Sequence, residues 1–259
     1  MTAKVIEKLN ELSVVFPCYN EEKNIPELIK TSMKVLPTVA NKFEIILVND
    51  GSKDKTSQIA HKYADSNSNI IVVDQQNKGY GGALKAGFKK AKYEWVFFTD
   101  ADLQFDLSEV RQLVERSRYS SLVIGYRIKR AEGFKRQILA SMLKVWNFVF
   151  LGFPLYIKDI DCAFKLIHRD VFRRIGELSS DGAMMSTEFL LKSHAAGFRA
   201  VQVGVSHYAR KIGNPTGNNF KVIFKAVSDT FTLRGMMKTF PQYRGSKSLS
   251  RGLGWAFGK

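Results

Sequence analysis

Cysteine and histidine are both scarce, with two and four copies in 259 residues. Cys18 and Cys162 lie far apart with no second pair, which argues against a disulfide framework or a zinc site and favours a reducing, cytoplasmic setting. The histidines lack metal-ligand spacing. Acid is short too: 24 Asp and Glu face 40 Lys and Arg, a formal charge of +16. That balance suits phosphates, anionic lipid or nucleic acid and does not choose among them. The opening MTAKVIEKLNELSVVF contains Glu7 and Glu11 and has neither the apolar core nor the small-residue cleavage site of a secretory leader. Only one long apolar stretch occurs, Ile138 to Ile157, and it carries Lys144, Asn147, Gly152 and Pro154. It is long enough to span a bilayer, but the interruptions favour a helix lying on a surface. Repeats and low-complexity tracts are missing as well.

What is present is a hydrophobic fraction of 45%, enough for one large α/β domain with a C-terminal appendage. β-Branched and aromatic runs at Leu12–Phe16, Phe43–Val48, Ile70–Val73 and Trp95–Thr99 read as buried strands. Helical patterns at Ile25–Leu36, Thr56–Ala64 and Gly82–Ala91 alternate with them, which predicts a mostly parallel, doubly wound sheet with helices on both faces. Further on, a helix is expected near Leu107–Ser117 and a strand near Leu122–Gly125. Beyond His207 the chain holds ten Lys or Arg and one acid, Asp229, with Phe220, Ile223, Phe224, Val227 and Phe231 at helical spacing. Domain boundaries follow: a catalytic domain over 1–215, then a basic amphipathic helix and tail over 216–259.

In such sheets ligands bind beyond the carboxyl ends of the strands. The polar clusters fall there: Pro17-Cys18-Tyr19-Asn20-Glu21-Glu22, Asn49-Asp50-Gly51-Ser52, Asn77-Lys78-Gly79-Tyr80-Gly81-Gly82 and Asp100-Ala101-Asp102. Two carboxylates spaced i, i+2 on a loop after a buried strand can converge on one hard divalent cation, with Gln104 next in reach. Asp50 can accept hydrogen bonds from a base or ribose, although an Asp-Gly turn needs no ligand. The Gly79–Gly82 stretch fits neither the dinucleotide nor the Walker pattern, so close backbone packing is the expected use of its glycines.

Taken in order, these four motifs, with Val48-Asn49-Asp50-Gly51-Ser52-Lys53-Asp54-Lys55-Thr56 and Asp100-Ala101-Asp102-Leu103-Gln104 the most distinctive, resemble the inverting family-2 glycosyltransferases. Within them the dolichyl- and polyprenyl-phosphate mannosyl- and glucosyltransferases are most similar. The resemblance covers about residues 12 to 215 and implies a GT-A fold. It implies that Pro17, Tyr19, Glu21, Val48 and Asp50 hold the nucleoside of a GDP-mannose or UDP-glucose type donor, with Lys85 a weaker candidate. Asp100, Asp102 and Gln104 would take Mg²⁺ or Mn²⁺, and the Ala101 backbone would face the donor. Phe105-Asp106 stands where the family often has His-Pro, a departure that touches the loop's shape.

By the same resemblance Asp161 lies near the reacting centre, with Asp159 competing for the role, and Arg127, Arg136 and Arg210 contact donor and acceptor phosphates. The implied reaction is metal-dependent, inverting transfer of a hexose to a polyprenyl or dolichyl phosphate. The implied location is peripheral, on the cytoplasmic face of an anionic membrane. Both amphipathic helices adjoin basic clusters, the layout of interfacial helices, and a membrane-spanning partner protein is a further expectation for the tail after Phe240. A soluble or glycan acceptor is the alternative. A basic nucleic-acid-binding module, suggested by the net charge and the basic tail, is a weaker one.

Overall fold

The computed structural model describes residues 7–128, 145–182, 184–210, 220–241 and 243, with only the backbone described for 220–228. Seven strands form one sheet: β1 Leu9–Cys18, β2 Ala40–Asp50, β3 Ile70–Gln75, β4 Trp95–Thr99, β5 Leu122–Arg127, β6 Phe164–His168 and β7 Val201–Val205, in the order β3-β2-β1-β4-β6-β5-β7. The pairs β2·β3, β1·β2, β1·β4 and β5·β7 are parallel. Strand β6 alone runs backwards, antiparallel to both β4 and β5. Its first residue, Phe164, stands opposite Thr99, the last residue of β4. The loop entering β6 therefore sits at the same rim as the carboxyl ends of the parallel strands.

All four strands read from the sequence in the first half are present, β1 and β2 being longer at both ends. The helices are α1 Ile25–Val39, α2 Thr56–Ser66, α3 Gly79–Lys90, α4 Val110–Ser117, helical residues 145–151 as α5, α6 Arg169–Ile175, α7 Met184–Ala195 and α8 Phe220–Thr239. The helix expected near Leu107 begins as a 3-10 turn, Leu107–Glu109, capped by the Asp106 carboxylate accepting from Ser108 N.

Strand alternation builds a core on each face of the sheet. Leu12, Val14 and Phe16 of β1, with Ile45 and Leu47 of β2, pack under α1 and α4, while Val15, Ile46 and Val48 face α3. Leu151, Met185, Leu190, Leu233 and Met237 extend that second core, so α8 contributes to the same apolar cluster as α7.

The long apolar stretch corrects one expectation. Residues 138–144 lie outside the described residues, and the helix does not continue to Ile157: it stops at Leu151, Gly152 takes a left-handed φ of 63°, and Pro154 follows. Glycine adopts that conformation without penalty, and proline cannot continue a helix. No helix among the described residues is long and apolar enough to cross a membrane.

Helix α3 lies unusually close to the sheet. A Cβ built on Gly87 would stand 2.3 Å from Val15 Cγ1 and 3.2 Å from Val48 Cγ2. Overpacking at a rigid β-branched pair outweighs the gain in helix propensity. Gly87→Ala should therefore destabilise the fold by about 1–3 kcal/mol, read as a lower urea midpoint at unchanged slope; an unchanged midpoint would show that α3 can lift off without cost.

Candidate active site

Four loops meet at the carboxyl rim, and two are stitched to each other before any ligand is considered. Asn20, at a left-handed φ of 58°, donates its amide to Ser52 Oγ (3.0 Å), and Lys53 N donates to Asn20 Oδ1 (2.8 Å). Glu21 N donates to Thr56 Oγ1 (2.8 Å), Glu22 N to Asp54 Oδ2 (3.2 Å) and Lys55 N to Glu22 Oε2 (3.0 Å). The polar runs after β1 and β2 thus satisfy each other's backbone groups.

Between them and the end of β4 opens a cavity of about 750 Å³. Its lining includes Pro17, Tyr19, Glu21, Asp50, Asp100, Ala101, Asp102 and Arg210, all picked from the sequence. Cys18 also lines it, but burial pushes its thiol above the ordinary range, with Glu21 adding to the effect, so no thiolate nucleophile is on offer. Burial likewise raises the Glu21 carboxyl, against a 2.5 Å hydrogen bond from Asn24 Nδ2. The Asp50 carboxylate accepts from Gln75 Nε2 (2.7 Å) and Lys78 N (2.8 Å), both on Oδ1. That leaves Oδ2 as the oxygen to receive a donor group from a ligand.

The decisive electrostatic feature is the aspartate pair. Burial and the neighbouring Asp102 charge together push the Asp100 carboxyl up to about 7, opposed by the Tyr80 phenol and by the positive charges of Lys165 and Arg127. Asp102 is 5% exposed; its Oδ1 accepts from Gln104 N (3.1 Å) and its Oδ2 from Arg210 Nη2 (2.6 Å). The turn is forced by Leu103, a non-glycine residue at φ 61°, a conformation that costs about 1–2 kcal/mol. Strain held at such a position is a mark of functional loops.

Other sequence candidates fall elsewhere. Val48 is fully buried in the core, and Lys85 pairs with Asp181 and donates to Ser179 O at 3.4 Å; neither lines the cavity. Gln104 is also outside the lining, its Nε2 donating to Tyr208 O at 2.8 Å. Arg127 forms a bidentate pair with Asp159, Nε to Oδ2 at 2.7 Å and Nη2 to Oδ1 at 2.9 Å, with both side chains below 10% exposed. Asp159 is thereby committed to the arginine, and Asp161, two residues on, is exposed at the rim. Arg136 lies outside the described residues.

The glycines after Asn77 serve packing, as expected. Gly81 N and Gly82 N both donate to Asp181 O, at 2.8 and 3.2 Å, so the start of α3 is capped by protein. A Cβ on Gly81 would stand 2.8 Å from that carbonyl. Glu188, fully buried, fixes the capping loop by accepting from Ser179 N (2.9 Å) and Ser180 N (2.7 Å) and pairing with Lys192 at 2.7 Å.

Two residues escaped the sequence reading. Lys165 is fully buried, donating to Ile160 O at 3.2 Å and to Cys162 O, so it clamps the loop that carries Asp159 and Asp161 while its charge opposes the protonation of Asp100. Tyr80 joins the cavity wall beside Asp100. A lysine inside the apolar run Phe164-Lys165-Leu166-Ile167 was the available signal.

Residues 13–176 match Glycosyl transferase family 2. The chain belongs to that family. Among curated relatives it is 27% identical over 220 residues to an undecaprenyl-phosphate 4-deoxy-4-formamido-L-arabinose transferase of Proteus mirabilis, covering 84% of this chain and 66% of that protein. It is 33% identical over 179 residues to a dolichyl-phosphate beta-glucosyltransferase of Trichomonas vaginalis, covering 63% of this chain and 55% of that one. The chain thus spans just under two thirds of the first and about half of the second. The fold matches glucosyl-3-phosphoglycerate synthase from Mycobacterium tuberculosis, solved with Mn²⁺, UDP-glucose and phosphoglyceric acid, at a TM-score of 0.67 and 17% identity over 87% of this chain and 80% of that one. It also matches S. aureus TarS in complex with UDP-GlcNAc, at a TM-score of 0.60 and 18% identity over 89% and 67%. The GT-A-type architecture expected from the motifs is therefore present.

The folded chain keeps the Asp100 proton to about pH 7, whereas an unfolded aspartate releases it near ~4. Ionising Asp100 therefore costs the metal-free fold stability as pH rises between those values. In the presence of a chelator, the melting temperature of wild type should fall relative to Asp100→Asn across that window and level off above it, by on the order of 10 °C. Parallel profiles would refute the crowding of the pair.

Proposed function

We propose that this chain transfers a hexose from a nucleoside-diphosphate sugar to a polyprenyl or dolichyl phosphate, with inversion, at a membrane surface. The observation that carries the reading is the rim cavity in which Asp50, the Asp100–Asp102 pair and Arg210 converge, within a family-2 chain whose curated relatives act on undecaprenyl and dolichyl phosphates.

The residues fit a hard divalent cation. Two carboxylates lie two residues apart, the half-buried Asp100 held partly protonated by desolvation and by the neighbouring Asp102 charge, and the buried Asp102 already bound to a guanidinium. Oxygen ligands of this kind suit Mg²⁺ or Mn²⁺. Asp100 and Asp102 would hold the ion, and Gln104, whose Nε2 is engaged but whose Oε1 is an acceptor, is the third candidate. When bound, the ion neutralises charge on the diphosphate as it departs.

The chain's own residues supply the rest. Asp50 Oδ2 receives a base or ribose donor beside Pro17, Tyr19 and Glu21, and the Ala101 backbone lines the floor. Arg210, already in the cavity, is placed to hold phosphate oxygens in the planar, bidentate way that guanidinium permits. Arg136 is proposed for the same work. Arg127 acts at one remove, since its pairing with Asp159 anchors the loop that presents Asp161. An acceptor phosphate is ionised at neutral pH and needs little deprotonation, so Asp161 orients the attack. Displacement from the face opposite the diphosphate inverts the anomeric centre without a covalent enzyme intermediate.

The exposed Val145, Val149 and Phe231, with Phe231 against the stacked Trp146 and Phe150 rings, support a membrane-facing patch on α5 and α8. Apolar residues of this kind beside a basic tail suit insertion at an anionic headgroup layer.

A panel of UDP- and GDP-sugars with Mn²⁺ should raise the melting temperature for one nucleotide class, and the same donor should glycosylate polyprenyl phosphate in liposomes. Asp102→Ala should reduce turnover about 10²–10³-fold or more while the fold melts normally. Lys221→Glu with Lys225→Glu should impair liposome binding and transfer together. Transfer to a water-soluble acceptor with no liposome dependence would replace the lipid reading with the soluble-acceptor one.

A further inference from the structure

Asp102 has both oxygens occupied: Oδ1 by the Gln104 amide at 3.1 Å and Oδ2 by Arg210 at 2.6 Å. Each of these oxygens keeps a second lone pair, so a cation can still reach Asp102, but at Oδ2 it would stand against the positive charge of the guanidinium and the two would repel. The amide belongs to the backbone of the strained Leu103 turn and cannot move independently of it. The guanidinium is the end of a long side chain, 29% exposed, and is the group that can yield. A carboxylate this deeply buried beside a second one is costly to leave uncompensated, so something positive must stand there in every state of the molecule.

The backbone that delivers Arg210 is pinned close by. Residues 206–210 run antiparallel to the segment after β4, with Phe105 and His207 forming an antiparallel bridge. Tyr208 N donates to Gln104 O at 2.8 Å and Gln104 Nε2 returns a bond to Tyr208 O at 2.8 Å. Glu109 fixes the start of this strap, accepting from Ser206 N at 2.7 Å and from Ser206 Oγ at 2.9 Å. The main chain just before Arg210 is therefore held, and only its side chain has to swing.

We propose that Arg210 is a built-in counter-cation that holds Asp102 in the metal-free chain and is exchanged for the divalent ion, passing to the donor diphosphate as the ion binds. Glu109 is the positioning residue that keeps the strap in register for that exchange. The inference rests on the metal-site reading of the aspartate pair. Its consequence is linkage: the ion competes with an internal charge until a diphosphate arrives to accept the released guanidinium, so metal and donor favour each other's binding. A site built this way resists filling with metal alone.

The test is Mn²⁺ binding to the whole chain without nucleotide, followed by loss of the free-ion paramagnetic resonance signal. Arg210→Gln should bind Mn²⁺ about ten-fold tighter than wild type, because the competitor is gone. Arg210→Lys, which keeps the charge, should bind as wild type does. Glu109→Gln should fall between wild type and Arg210→Gln, and in the Arg210→Gln background it should add nothing, since it acts only through the arginine. Equal or weaker binding by Arg210→Gln, or a Glu109→Gln effect that persists without Arg210, overturns the proposal. Should Arg210→Gln fail to fold, Glu109→Gln alone decides: tighter binding supports the exchange and unchanged binding overturns it. If wild type and every variant leave Mn²⁺ free at millimolar concentration, the metal-site reading fails and the exchange fails with it.

Discussion

Two carboxylates forced together at the end of β4 set the terms for everything around them. Negative charge in a low-dielectric lip cannot stand alone, and the chain answers it on three sides: a guanidinium on Asp102, a buried ammonium behind the strand, and a proton retained on Asp100. None of these is a full match for the pair. The mismatch is what makes the lip attractive to a hard cation and, through it, to a diphosphate.

The surroundings keep that lip from relaxing. Glu188 locks the Ser179–Asp181 loop, whose Asp181 carbonyl caps α3, and α3 presses on the sheet through Gly87 while presenting Tyr80 to the cavity. On the other side the loops after β1 and β2 are tied by reciprocal bonds, so Asp50 and Glu21 face a preformed space. Preorganisation of this kind lowers the entropy lost when a nucleotide is ordered.

The first half of the molecule was legible in the sequence, because there each strand ends in a polar motif and periodicity alone places the motif at the rim. Trp95–Thr99 appears with the bounds its β-branched and aromatic residues suggest. The later half was harder to read. Arg127 and Asp159 lie far apart in sequence, and only the reversed β6 beside β5 makes them partners, so a basic loop looked like phosphate-binding charge when one member is an internal ion pair. Lys165 hid for the opposite reason, since a lysine in an apolar strand normally marks a solvent face, and here it faces carbonyl oxygens inside. Local spacing cannot report a partner brought in by topology.

In the first half of the chain the crossings between strands are spanned by packed helices. Because β5 finishes at the rim and its antiparallel neighbour β6 begins there, the chain leaves β5 and enters β6 at the same rim. The described part of that connection, from residue 145 on, is packed: Leu151, Phe153 and Ile157 enter the second core and Asp159 pairs with Arg127. A substitution at Leu151, Phe153 or Ile157 therefore reaches the rim through the very loop that carries Asp159 and Asp161.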